Sequence, residues 1–280
     1  MLVRSDLAAL AAVLMWASLA ALAANLSHIP PFLLTGLGLL IGSVISLPLA
    51  GFNIKRIWPQ PKVLLLGVYG LFGYHVVLFA GLQNAPTVQA NLVNYLWPLL
   101  IVLLAPLIIR GARLRLRHIV ASIVGFTGAA LAILSGTQIT GGFEIGYLFA
   151  LMAAVIWSTY SLGLRAIRKF ETSAVGAFGL IAGPLAIGTH FLFEEPAIIS
   201  GTDLLPLALL GLGALGASFY FWAYALQTGD AQRVGLIAFF TPVLSTLMLV
   251  LATGSELSPL LLLSASMIFV AAWFGGRVNN

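Results

Sequence analysis

Long apolar segments alternate with short polar connections along the whole chain. An α-helix that crosses the hydrocarbon core of a bilayer needs about 20 mostly apolar residues. Because such segments follow one another with little sequence between them, the pattern predicts a bundle of membrane-spanning helices with no room for a soluble domain. The ten predicted spans are residues 5–25, 31–51, 62–83, 86–109, 115–136, 144–167, 172–193, 204–227, 231–253 and 257–276.

Basic residues occur only in alternate connections. The 13 Lys and Arg residues lie before the first segment and after the second, fourth, sixth, eighth and tenth, whereas the other five connections contain none. Cytoplasmic connections are enriched in Lys and Arg, so we expect a multi-pass protein of the bacterial cytoplasmic (inner) membrane with both termini in the cytoplasm. A signal peptide cleaved after Ala23 is an alternative for the first segment, which its length disfavours. The basic residues are Arg4, Lys55, Arg56, Lys62, Arg110, Arg113, Arg115, Arg117, Arg165, Arg168, Lys169, Arg233 and Arg277.

Composition excludes several classes of protein. The mean hydropathy is +1.08, and only 8% of the residues are charged, whereas soluble domains contain about 25%. The net charge of +5 is spread over separate connections, so we expect no nucleic-acid partner. The absence of cysteine excludes disulfides, thiolate metal sites and Cys nucleophiles, and we expect neither a cofactor nor a metal ion.

The second half of the chain repeats features of the first half. The pattern Ala-Leu-x-Ala-x-x-x-Trp ends at Trp16 and again at Trp157, an offset of 141 residues. Two further pairs share an offset of 144 residues: Gln83 with Gln227, and Pro98 with Pro242. These matches predict that helices one to five and helices six to ten are two copies of one unit.

The two predicted repeats comprise residues 1–136 and 137–280. Each contains an odd number of spans, so the second copy enters the membrane from the opposite face. Inverted repeats are typical of secondary transporters, in which the substrate site lies near the midplane between the halves. The sequence therefore favours transport of a small molecule by an all-α protein, which we expect to be a monomer in the lipid bilayer.

No Asp, Glu, Lys or Arg lies in the middle of a predicted span. Charged residues inside a membrane usually mark proton relays and sites for ionic substrates, so their absence argues against both. An intramembrane enzyme would need paired carboxylates, a Ser/His couple or metal ligands. Because the spans contain none of these, we expect no catalytic residues and no enzymatic activity.

Polar residues in the fourth segment lie on one face of the predicted helix. Thr87, Asn91, Asn94, Tyr95 and Pro98 follow at helical spacing. Two amides would be costly against lipid, so this face contacts either neighbouring helices or a substrate.

Proline occurs within both the fourth and the ninth segment, at Pro98 and Pro242. Proline removes a backbone hydrogen bond and bends a helix. The matched pair predicts either two static kinks or two hinges.

Aromatic residues and one histidine complete the candidate site. Tyr74 and His75 lie near the middle of the third segment, and His75 is the only ionisable side chain predicted deep in the bundle. Trp16 and Trp157 are repeat counterparts, and Tyr160 follows Trp157 by three residues. Rings can enclose an apolar side chain and hold an ammonium group, and the amides can satisfy a carboxylate. A zwitterion with an apolar side chain fits this inventory, although packing explains each residue as well.

Ten spans in two five-helix repeats, together with Trp16, Trp157 and the stretch from Asn84 to Pro98, resemble the drug/metabolite transporter superfamily (EamA type). Tyr74-His75 and Asn-Tyr-x-Trp-Pro are similar to its exporters of aromatic and hydrophobic amino acids. The resemblance implies a central cavity, alternating access and export, with His75, Tyr95, Trp97 and Trp157 at the cavity. On a regular helix Tyr95 and Trp97 point about 200° apart, so both reach one cavity only if the helix unwinds before Pro98.

Several functional alternatives remain open at this point. An exporter of aromatic and other hydrophobic amino acids is the first, and a broad-specificity metabolite or drug exporter of the same superfamily is the second. A channel or an intramembrane enzyme is disfavoured. The driving force is also open, because facilitated diffusion and proton exchange through His75 are equally compatible with the sequence.

Overall fold

The computed structural model describes residues 3–134, 142–253 and 258–276, and these contain α-helices, shorter helical turns and no strand. Nine of the helices described are long and apolar enough to cross a membrane, and a further apolar helix is shorter. We number them α1 (Arg4–Ala24), α2 (Pro31–Leu49), α3 (Pro61–Gln83), α4 (Thr87–Ile108), α5 (Leu116–Leu134), α6 (Ile145–Ala166), α7 (Thr172–Phe193), α8 (Gly201–Thr228), α9 (Ala231–Ala238 and Phe240–Thr253) and α10 (Pro259–Gly275).

This architecture confirms an all-helical membrane protein. Because α10 is shorter than the other nine, the count of ten complete spans stays a prediction. The inverted repeats and the cytoplasmic termini also stay predictions. The predicted repeat boundary at residues 136 and 137 and the basic residue Arg277 lie outside the described residues.

Helix irregularities recur at equivalent places in the two halves. A π-helical turn interrupts α3 at Tyr69–Gly73, and another interrupts α8 at Gly213–Ala217. Side chains satisfy carbonyl groups inside these turns: the His75 ring lies 2.5 Å from the Leu71 oxygen, and the Ser218 hydroxyl donates to the Ala214 oxygen at 2.7 Å. The two turns are separated by the 144 residues that also separate Pro98 from Pro242.

Helices α4 and α9 break at equivalent positions as well. The first piece of α4 ends at Asn94 and its second begins at Trp97, whereas the first piece of α9 ends at Ala238 and its second begins at Phe240. Pro98 therefore lies in the first turn of a new helix, where its missing N–H group costs no hydrogen bond.

Helix packing has the same twofold pattern. Helix α2 packs on α7 and α5 on α10. The contact of α3 with α6 is matched by that of α8 with α1, and the contact of α4 with α6 is matched by that of α9 with α1. Adding or subtracting five from the helix numbers converts the contacts of α2 with α7 and of α5 with α10 into themselves, and it exchanges the members of the other two matched pairs.

Small residues allow the closest helix contacts. A Cβ atom added to Gly42 of α2 would lie 2.5 Å from the Cα atom of Gly216 in α8, and one added to Gly179 of α7 would lie 2.8 Å from the Leu39 oxygen. Both obstacles include backbone atoms, so these contacts exclude any larger residue without a shift of the helices. This agrees with the use of small residues at helix interfaces in membranes.

Buried ionic contacts hold the two ends of the bundle. The Glu194 carboxylate accepts hydrogen bonds from the backbone N–H groups of Phe32 (2.9 Å) and Leu33 (3.4 Å), at the start of α2. At the other end of the bundle, where α1 begins, Arg233 Nη2 lies 2.6 Å from Asp6 Oδ2, and this contact ties α9 to α1. The Glu194 carboxylate therefore pairs with N–H groups that have no partner within the helix, because they lie in its first turn.

Candidate functional site

A cavity of about 520 Å³ lies between the two halves of the chain. This volume is within the range of roughly 300–1,000 Å³ that is usual for small-molecule sites. Helices α1, α2, α3, α4, α6, α8 and α9 all contribute to its surface. Its polar or partly polar lining residues are Trp16, Ser27, Thr35, Tyr74, His75, Asn91, Asn94, Tyr95, Trp97, Trp157, Thr241 and Ser245.

Three tryptophans form what we call the floor of the cavity: Trp16, Trp97 and Trp157. The ring centroid of Trp16 lies 6.1 Å from that of Trp97 and 5.7 Å from that of Trp157, both at steep interplanar angles. Below the floor, the fully buried Trp222 contacts Trp97 at 5.6 Å and donates its indole N–H to the Ser161 hydroxyl at 3.0 Å. Edge-to-face contacts of this kind favour a rigid aromatic cluster.

The cavity extends in the other direction to the connection between α1 and α2. Its lining includes Leu26, Ser27 and Ile29 of this connection, and Ser27 is exposed. None of the Lys and Arg residues that the structure describes lines the cavity. The cavity is therefore open at the α1–α2 end, which we call the mouth, and closed by the floor towards the basic connections.

The break in α4 explains how two residues that diverge on a regular helix reach one cavity. Tyr95 has φ −64° and ψ 2°, outside the helical region, and a new helix begins at Trp97. Tyr95 and Trp97 both line the cavity as a result. The unwinding before Pro98, on which their shared orientation depends, is present.

His75 is buried in the cavity wall. Its Nδ1 atom lies 2.5 Å from the Leu71 carbonyl oxygen. A carbonyl only accepts hydrogen bonds, so Nδ1 carries a proton, and the Nε2 atom of a neutral ring is left as an acceptor. The π-helical turn thus fixes the tautomer of this histidine.

Two buried polar atoms beside the cavity have no hydrogen-bond partner in the described structure: Asn94 Oδ1 and Trp157 Nε1. The Asn94 amide donates through Nδ2 to the Tyr74 hydroxyl at 3.1 Å, which fixes its orientation. Leaving a buried polar group unpaired costs about 1–3 kcal/mol. The site therefore holds one unused acceptor and one unused donor, which a ligand with both functions can satisfy.

Eight of the nine predicted site residues line this cavity: Trp16, Tyr74, His75, Asn91, Asn94, Tyr95, Trp97 and Trp157. The ninth residue, Tyr160, does not line this cavity. Tyr160 is fully buried away from the cavity, with its ring 5.2 Å from that of Trp157 and packed against Gly70. Three residues after Trp157 is about 4.5 Å further along the helix, which places Tyr160 below the floor.

Two hydroxyl residues of α9, Thr241 and Ser245, line the cavity but were not predicted from the sequence. Their spacing of four residues puts them on one helix face, next to Pro242. Thr241 is also the counterpart of Trp97 at the offset of 144 residues. That offset was the signal that could have identified it. Among the described residues, no group of three or more His, Asp or Glu could hold a metal ion.

Both halves of the chain match one known family. The model of the EamA-like transporter family matches the chain twice, over residues 3–134 and 144–275. The chain belongs to the EamA-like transporter family. It is therefore a multi-pass membrane protein of a transporter family, and its relatives are named as transporters and exporters rather than enzymes.

Individual members of the EamA-like family are similar over most of their length. The aromatic amino acid exporter YddG of Ancylobacter novellus is 37% identical over 269 residues, covering 92% of this chain and 91% of that protein. YddG of Escherichia coli is 25% identical, covering 91% and 90%. A solved crystal structure has a TM-score of 0.90 at 35% identity, covering 96% of this chain and 94% of its own.

Proposed function

We propose that this protein exports aromatic and other hydrophobic amino acids across the bacterial cytoplasmic membrane by alternating access. The observation that carries the proposal is an uncharged cavity with an aromatic floor and two unpaired polar atoms at its edge. The similarity to proteins named aromatic amino acid exporters supports the same substrate class.

The cavity chemistry fits a zwitterion whose side chain is apolar. Asn94 Oδ1 would accept a hydrogen bond from the ammonium group, and Trp157 Nε1 would donate one to the carboxylate. Neither atom is accessible to solvent in this state, so each side chain must rotate slightly when the substrate binds. The substrate side chain would lie on the rings of Trp16 and Trp97, where aromatic contacts contribute about 0.5–1.5 kcal/mol beyond area burial.

The architecture that we propose is ten spans in two inverted repeats, residues 1–136 and 137–280, with both termini cytoplasmic. The two family matches, the π-helical turns 144 residues apart and the paired helix contacts support it. Because the whole cavity is formed within one chain, we propose that the monomer is sufficient for transport.

Alternating access is supported by one contact that the repeats do not share. On the closed side, Trp97 of α4 contacts Trp222 of α8 at 5.6 Å. Their counterparts at the offset of 144 residues are Thr241 of α9 and Leu78 of α3, and both line the open cavity. In the opposite state, Leu78 and Thr241 would meet and the two tryptophans would separate, with the breaks in α4 and α9 near Pro98 and Pro242 as hinges.

Transport by the purified protein in proteoliposomes tests the proposal. We expect uptake of radiolabelled phenylalanine or tryptophan that is saturable and shows counterflow, as expected for a carrier and not for a channel. Trp157→Phe keeps a ring but removes the donor, and Asn94→Leu keeps the approximate size but removes the acceptor. One lost hydrogen bond to a charged group is worth about 1.5–3 kcal/mol, so each change should raise the apparent KM at least tenfold.

Trp273→Phe is the matched control, because Trp273 is exposed on α10 and does not line the cavity. It should transport like the unmodified protein. Absence of transport for every hydrophobic amino acid, with the protein folded, would exclude the proposed function. Competition by lipophilic cations in place of amino acids would instead indicate the broad-specificity exporter. Repeating the assay with an imposed pH gradient determines whether protons drive transport.

A further inference from the structure

A second pocket lies outside the transport cavity, between the α2–α3 and α6–α7 connections. We call it the basic pocket. It has a volume of about 410 Å³. Four cationic side chains line it together with a single carboxylate: Lys55, Arg56, Arg168 and Lys169 with Glu171.

The two connections that form the basic pocket are held together. Ile57 is buried in a small apolar cluster with Ala50 and Ala177, which anchors the first connection to α7. The hydroxyl of Ser173, in the first turn of α7 directly after the second connection, donates to the backbone oxygen of Arg56 at 3.2 Å and links this turn to the first connection. The pocket is therefore formed before any ligand binds.

Positive charge in the basic pocket is only partly compensated. Arg56 Nε lies 3.6 Å from Glu171 Oε1, and both side chains are more than half exposed. Within the described part of the chain, Lys55, Arg168 and Lys169 form no ion pair. An anion in the pocket would relieve the repulsion among these cations.

Apolar side chains beside the pocket point to a membrane surface. Phe52 is 76% exposed, Ile54 63% and Trp58 47%, and Trp58 lines the pocket itself. They lie in the connection just before α3 begins at Pro61. Tryptophan is enriched at the level of lipid headgroups, and basic pockets between membrane helices bind anionic headgroups.

We propose that the basic pocket binds the headgroup phosphate of an anionic phospholipid, such as phosphatidylglycerol. The cations would contact the phosphate, while Phe52, Ile54 and Trp58 would lie against the glycerol and the upper acyl chain. A soluble phosphate compound offers the same anion without acyl chains, so the apolar rim favours the lipid.

Native mass spectrometry of the detergent-purified protein tests this site. We expect phosphatidylglycerol to bind more tightly than the zwitterionic phosphatidylethanolamine. Each Lys or Arg near an anionic surface contributes roughly a fivefold change in affinity, so the double change Arg168→Gln and Lys169→Gln should weaken phosphatidylglycerol binding roughly 25-fold. The control Arg113→Gln with Arg115→Gln removes the same charge from exposed residues outside the pocket and should have no such effect.

A change of opposite sign guards against loss by misfolding. Glu171→Gln removes the carboxylate that lines the pocket and should strengthen phosphatidylglycerol binding up to about fivefold. Equal binding of both lipids, or equal losses in the pocket and control double variants, would overturn the proposal. Complete displacement of the lipid by equimolar glycerol phosphate would also overturn it and identify a soluble phosphate as the ligand.

Discussion

The buried ion pair between α1 and α9 allows a quantitative prediction about stability. Asp6 Oδ2 lies 2.6 Å from Arg233 Nη2, and the Asp6 side chain is only 2% exposed whereas that of Arg233 is 25% exposed. Arg233 Nη1 also lies 3.3 Å from the Gly276 oxygen. Without Asp6, the Arg233 side chain therefore still has solvent and the Gly276 oxygen as partners, whereas without Arg233 the Asp6 carboxylate stays shielded from solvent.

Arg233→Gln leaves the Asp6 carboxylate buried without its counterion, while it still accepts a hydrogen bond from the Val3 N–H at 3.1 Å. Breaking a buried pair in this way costs about 3–5 kcal/mol. Asp6→Asn leaves a guanidinium that still reaches solvent and the Gly276 oxygen, so we expect a smaller loss of about 1–3 kcal/mol. The double variant should lose less than the sum of the two.

Two controls in the same molecule calibrate the effect. The counterpart contact, by the repeat offsets, is the hydrogen bond from the Tyr147 hydroxyl to Gln89 at 2.7 Å between α6 and α4. Tyr147→Phe removes a neutral, half-buried bond and should cost about 1 kcal/mol. Arg56→Gln breaks an exposed pair, and a median pair of that kind is worth about 0–1 kcal/mol.

Thermal unfolding in detergent measures the order of stability of these variants. One heating rate is used throughout, because unfolding of such proteins is often irreversible. We expect Arg233→Gln to unfold at the lowest temperature, followed by Asp6→Asn and then the two controls. The burial argument is wrong if Arg233→Gln and Arg56→Gln unfold at the same temperature. It is also wrong if the effects of Asp6→Asn and Arg233→Gln are additive in the double variant.

Two further predictions follow from the packing. The chain has no cysteine, so Leu78→Cys with Thr241→Cys should form a crosslink that increases during turnover, whereas constant crosslinking with and without substrate would contradict the proposed closure. Gly42→Ala should destabilise the protein by about 1–3 kcal/mol, because the added Cβ atom would meet the Gly216 Cα atom. The control Gly188→Ala should not destabilise the protein, because its added Cβ atom meets nothing within 4 Å. Equal unfolding temperatures of the two variants would refute the steric reasoning.

The sequence was sufficient for the helical membrane fold and for most cavity residues. Apolar length and helical spacing report which residues share a face, and Asn91, Asn94 and Tyr95 lie together at the cavity as that spacing predicts. Helical spacing says less about how far along the helix axis a residue lies relative to the cavity. The angular position of Tyr160 near Trp157 favours the cavity, but Tyr160 lies almost one helical turn further along α6, buried below the floor.

The helix irregularities were not predictable from periodicity. A π-helical turn depends on which carbonyl groups find other partners, as Leu71 does with His75, and not on an apolar pattern. The break between Asn94 and Trp97 is similar: proline made it plausible, but only the backbone angles of Tyr95 show that the chain unwinds there. Both irregularities set the direction of cavity side chains.

Contacts that have a counterpart in the other half differ in meaning from those that do not. The ion pair of α1 with α9 and the hydrogen bond of α6 with α4 occupy equivalent places, and both are formed in this one state. In the alternating access that we propose, a contact present at both ends at once need not break when the open and closed ends exchange. The contact of Trp97 with Trp222 has no formed counterpart, since Leu78 and Thr241 face the cavity. One asymmetry of the molecule therefore lies between α4 and α8 on one side and α9 and α3 on the other. The alternating access that we propose requires changes there, while the α1–α9 and α4–α6 contacts can persist.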